Sequence, residues 1–138
     1  MDEERTLGRT AVLGQMLETW GAFDRPPTWE ALTRELGGLG ESVCLIRWPF
    51  GGGDPLIEQA GALAVLAYGT PLAGQQAVIL TSDRPEAARE AATALSDRRP
   101  FTVEDDVGDG LAARRVARLY LPLSESPPAV ACGVVRLD

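Results

Sequence analysis

The chain has 138 residues and a mass of 14.7 kDa, enough for one domain with a real core, and its 45% hydrophobic content is that of a globular protein. A net charge of −7 and a pI of about 4.6 argue against a nucleic-acid partner, because phosphate contacts need clustered cations. All thirteen basic residues are arginine and histidine is missing, which excludes Ser-His-Asp and Cys-His pairs, His-ligated haem and His-containing zinc sites.

Residues 1–27 read as an N-terminal amphipathic helix and a connector. From Arg5 to Phe23 the residues Val12, Leu13, Met16, Leu17, Trp20 and Phe23 fall on one helical arc of about 140°. Asp2, Glu3 and Glu4 suit the positive end of the helix dipole, whereas Gly8 and Gly14 weaken the helix. Such a helix needs a surface to pack on. Either it lies on its own sheet, or it dimerises through Leu13, Met16, Leu17 and Trp20.

Arg25-Pro26-Pro27 breaks the chain, and Thr28 caps a second helix carrying Trp29, Leu32 and Leu36 on one side, ended by Gly37-Gly38. Ser42 to Trp48 is the first strand: Val43 and Leu45 face one way, and Cys44, Ile46 and Trp48 the other. Both sides are largely apolar until Arg47, as in a central strand covered on both faces. Pro49 to Gly53 is a turn.

Local signals over residues 54–60 favour a helix, with Asp54 as its cap and Pro55 in its first turn. Ala64 to Tyr68 reads as helix or strand. Gln76 to Thr81, with Val78-Ile79-Leu80, reads as a strand by β-branching. Ser82-Asp83-Arg84-Pro85 enters a helix from Glu86 to Ser96, with Ala87, Ala91, Ala94 and Leu95 inward and Glu86, Arg89, Glu90 and Thr93 outward. Three strand-like runs close the chain, from Arg99 to Asp106, Val116 to Leu123 and Val130 to Asp138.

Little in this sequence carries chemistry. Gly51-Gly52-Gly53 lacks the Lys-Ser/Thr of a phosphate loop. Glu104, Asp105, Asp106 and Asp109 do not have calcium-loop spacing and read as a solvated acidic cluster balanced by Arg114 and Arg115. Cys44 and Cys132 sit in strands as small core residues of a reducing cytoplasm; a disulfide or a reactive thiol is the alternative. No run reaches the roughly 18 apolar residues of a membrane helix, and no signal peptide is legible. No metal site and no enzyme are expected.

The order of the last three runs carries a resemblance. Arg99-Pro100-Phe101-Thr102-Val103-Glu104-Asp105, a loop, Leu119-Tyr120-Leu121-Pro122-Leu123, a turn and then Cys132-Gly133-Val134-Val135-Arg136-Leu137 resembles the second half of a GAF sensory domain. The resemblance implies a GAF-like domain over residues 28–138, within a single α+β fold of GAF/PAS-like type: an antiparallel sheet flanked by helices. It asks for a strand near residues 54–60, paired with the first, where the local signals ask for a helix. It also implies a leading helix that joins a partner chain, hence a homodimer, and a helix after the last strand. This sequence has none there, as in an excised domain or a shortened stand-alone one.

Cyclic-nucleotide-binding members carry a lysine-containing signature, bilin-binding members a cysteine usually beside a histidine, and methionine-sulfoxide-reducing members several loop cysteines. This chain matches none of them, so its cofactor stays unassigned. Along the Val116–Leu123 run, Ala117, Leu119, Leu121 and Leu123 share one face, and Arg118 and Tyr120 the other. In one reading Arg118 and Tyr120 anchor a small ligand at an apolar cleft walled by Trp48 and Tyr68; in the other they meet water on an exposed strand face. The expected function is a cytoplasmic sensory or regulatory domain that binds an unidentified small ligand, dimerises, or does both, without nucleic acid or membrane. The alternative is a ligand-free interaction scaffold, whose mark is a sheet face filled by its own side chains.

Overall fold

The structure is a computed structural model that describes residues 2–108 and 110–138, with side chains from Thr10 onward except that of Ala112. Five strands form one antiparallel sheet: β1 (Val43–Arg47), β2 (Leu56–Ala60), β3 (Phe101–Val107), β4 (Arg114–Pro122) and β5 (Ala129–Arg136), in the order β2-β1-β5-β4-β3. The three closing runs are therefore adjacent antiparallel strands, as their patterning predicts. Among the described residues four α-helices pack with the sheet: α1 (Asp2–Gly21), α2 (Trp29–Leu36), α3 (Ala62–Tyr68) and α4 (Glu86–Asp97).

Helices cover both faces of the sheet, and strand alternation sorts the core into two layers. Val43 and Leu45 of β1 and Ala117, Leu119 and Leu121 of β4 pack with Leu13 and Met16 of α1 and Leu32 and Leu36 of α2. On the opposite face Cys44, Ile46, Tyr120 and Cys132 pack with Ala64, Ala67 and Tyr68 of α3 and Ala87, Ala91 and Ala94 of α4. The alanines are why α4 can lie close: their short side chains are completely buried or nearly so. At α2, the Thr28 hydroxyl accepts from the Ala31 N–H at 3.2 Å, and Gly37 stops the helix at φ 55°.

Helix α1 lies on its own sheet. It packs over Gly133 of β5, where Met16 and Leu13 occupy the space a side chain would need. Trp20 then fixes the far end, its indole N–H donating to the Pro122 carbonyl at 2.8 Å.

Two segments differ from the local reading. Residues 56–60 are a strand, not the helix that Asp54-Pro55 suggests, because they satisfy the outer edge of β1 through the register Cys44↔Ala60 and Arg47↔Leu56. The resemblance was right here, and the helix begins only at Ala62, capped by Gly61. Val78-Ile79-Leu80 is not a strand either. Residues 74–77 run beside β2, through Gly74 N–H to Ile57 O at 2.7 Å and Ala77 N–H to Pro55 O at 2.9 Å. The chain then coils into a 3₁₀ turn, Ala77–Thr81, that drives Leu80 into the core. Tertiary burial overrides β-propensity at this point.

Candidate functional site

The 3₁₀ turn positions a backbone acceptor between the sheet and α4. The Leu80 carbonyl accepts from the Tyr68 hydroxyl at 2.9 Å and from Arg118 Nη1 at 3.4 Å. Arg118 comes from β4 on the α4-facing side and has no exposed surface. Its Nη2 lies 3.0 Å from Glu90 Oε1 and 3.4 Å from Asp105 Oδ2, and its Nε donates to Tyr120 Oη at 3.2 Å. The Tyr120 hydroxyl donates to Glu90 Oε1 at 2.7 Å.

Three of the four expected ligand residues, Arg118, Tyr120 and Tyr68, thus meet in one place. Trp48 packs half-buried against the same core layer but makes no bond in the cluster. The exposed-face reading of Arg118 and Tyr120 is corrected: both are fully buried. Glu90, expected outward on α4, turns in as the partner that a buried guanidinium requires. One signal pointed to it: an arginine on the α4-facing side of an otherwise apolar strand needs an acid nearby.

Electrostatics follow from this burial. Burial acts to lower the Arg118 pKa, but the neighbouring Tyr120, Tyr68 and Glu90 outweigh it and hold the guanidinium above its usual range. Burial pushes the Tyr68 and Tyr120 phenols up, so both remain protonated donors at neutral pH. The two thiols face the same layer, with Cys44 opposite Cys132 in the β1–β5 register. Burial raises Cys44 to about 12 and Cys132 well above the ordinary thiol, the opposite of the acidified, accessible cysteine that nucleophilic chemistry needs.

The acidic run is largely neutralised where it is described. Arg115 pairs with Glu104 and Asp106 across the β3–β4 ladder, and Asp105 reaches Arg118 and Arg84. Arg114, expected to balance these acids, donates to the Ala67 carbonyl at 3.1 Å. Asp109 lies outside the described residues. No group of three metal-ligating side chains occurs among the described residues. Of the residues expected at a dimer interface, Leu13 and Met16 are buried against the chain's own sheet, Trp20 is half-buried, and Leu17 stands 39% exposed.

Sheet order and helix placement can be set beside solved proteins. The chain is similar to a fungal LOV domain photoreceptor, with a TM-score of 0.56 and 17% identity over 90% of each chain. The fold is PAS-like. The chain is also similar to a domain of an HTR-like protein from Haloarcula marismortui ATCC 43049, with a TM-score of 0.50 and 14% identity over 70% of this chain and 99% of that one. No family profile matches the sequence, and no curated protein matches it. Within the PAS-like fold the Arg118 cluster sits between the sheet and α4. No described helix is long and apolar enough to cross a membrane.

Proposed function

We propose that the chain is a regulatory module of GAF/PAS type that works through protein contacts and keeps the space between its sheet and α4 closed. The observation that carries this reading is Arg118, which fills that space while its donors are taken by Glu90, Asp105, Tyr120 and the Leu80 carbonyl. A ligand entering there would have to strip a buried cation of its partners, leaving a charge that is costly without them. The cluster has the character of a structural pin. With both thiols buried and protonated, the reading is non-enzymatic.

The contact we propose is a homodimer formed on the side of α1 that carries Leu17, since Leu13 and Met16 are engaged with the chain's own sheet. Native mass spectrometry, with NMR of the tyrosine rings, tests both parts. A dimer with unperturbed Tyr68 and Tyr120 resonances is expected. An extra mass lost on denaturation together with shifted rings overturns the closed interior, and a monomer at micromolar concentration overturns the dimer.

A further inference from the structure

We propose that a cleft at one end of the sheet binds small carboxylic acids with an apolar body. The cleft measures about 460 Å³, within the range of about 300–1,000 Å³ common for small-molecule sites. Its lining is mixed: Pro26, Leu95 and Pro128 offer apolar surface, Pro122 and Leu123 are buried behind it, Ser124 and Glu125 are polar, and Arg25 and Arg98 stand on its rim. Neither guanidinium has an ion pair or a side-chain hydrogen bond among the described residues. The one acid lining the cleft is already engaged: Glu125 accepts from the Trp29 N–H and from Arg47, both at 3.0 Å. A chain of net charge −7 thus keeps two cations without ion pairs among the described residues at one cleft of mixed polar and apolar lining, and a guanidinium fork suits a carboxylate.

The two contributions set the ligand class. Exposed ion pairs are weak alone, so acetate or inorganic phosphate, with nothing to lay on Pro26, Leu95 and Pro128, is held poorly. An aromatic or branched carboxylate uses both. The cleft also adjoins α1: Pro122 receives the Trp20 indole N–H, and the Ser124 N–H donates to the Pro27 carbonyl at 2.8 Å. Occupancy would therefore brace the α1 connector. That last step rests on the regulatory reading; the binding does not.

Amide NMR titration with phenylacetate, indole-3-acetate, acetate and phenylacetamide tests the site. The two aromatic acids should give saturable shifts at Arg25, Leu95, Arg98 and Ser124, with acetate and phenylacetamide weaker. The double variant Arg25→Gln/Arg98→Gln, both positions being exposed and its fold checked by circular dichroism, should weaken binding about tenfold. Equal binding of the amide, undiminished binding by the variant, or no rim shifts with either aromatic acid overturns the site. Rim shifts with an unmoved Trp20 indole leave the binding standing and overturn the coupling to α1. Shifts confined to Tyr68 and Tyr120 overturn the closed interior as well as this cleft.

Discussion

Arg118 on β4 and Glu90 on α4 lie 28 positions apart and meet at 3.0 Å, joining sheet to helix through a guanidinium with no solvent exposure. Removing one charge of such a pair strands the other, at a cost of about 3–5 kcal/mol. Glu90→Gln keeps an oxygen for the Tyr120 hydroxyl but leaves Arg118 with Asp105 as its only acid, so a loss near about 3 kcal/mol is expected in urea unfolding. Arg118→Met with Glu90→Gln removes both charges and should be more stable than Glu90→Gln alone by about 2 kcal/mol. If the double variant is merely the sum of the two singles, the pair is not coupled and the account fails.

The sequence was most legible where local pattern and global fold agree. Alternating apolar residues with turn punctuation place β4 and β5, and Thr28 with Gly37 brackets α2. Residues 54–60 defeat local reading because Asp54-Pro55 imitates a helix start; the need that makes them a strand, the open edge of β1, arises only after folding. Val78-Ile79-Leu80 fails for a related reason, since burying Leu80 against α4 outweighs β-branching. The site shows the same limit. Arg118 and Tyr120 were recognisable as neighbours on one strand face, but Glu90 shares a helix turn with exposed residues and turns inward only in answer to β4.

Gly133→Ala should loosen α1. A Cβ there would sit 2.5 Å from Met16 Sδ and 3.3 Å from Leu13 Cδ2, so the helix or the Met16 rotamer must move. Overpacking of this kind costs about 1–3 kcal/mol. Adding Met16→Ala relieves the clash, and the double variant should lose less than the sum of its parts. Amide hydrogen exchange should quicken in α1 before it quickens in β4. Exchange rising first in β4 would mean that α1 is not what Gly133 accommodates.

Gly61→Ala should be the harsher change, because the obstacle is backbone. A Cβ at Gly61 falls inside the van der Waals contact of the Glu41 carbonyl, and no rotamer can relieve that. Gly61 also donates its N–H to the Val43 carbonyl at 3.0 Å, so displacing it disturbs the β2–α3 corner. The loss should reach the upper end of about 1–3 kcal/mol or exceed it. Thermal unfolding of the two glycine variants side by side checks the ranking. A Gly133→Ala midpoint below that of Gly61→Ala reverses it.

Stability should fall at alkaline pH, and the sign follows from the buried thiols and phenols. Burial holds Cys44 near 12 when folded, against about 8.5 for an unfolded cysteine. Below about pH 8.5 both states carry the proton and the contribution is complete. Above it the unfolded chain binds fewer protons than the folded one, so stability drops by up to about 1.4 kcal/mol per pH unit for each such group, until the folded thiol ionises. Cys132, Tyr68 and Tyr120, each raised first by burial, act in the same direction. Urea midpoints between about pH 8 and 11 should therefore decline, and Cys44→Ala should decline less steeply by about one proton's worth. Parallel slopes for the two proteins would show that Cys44 is not held protonated by the fold.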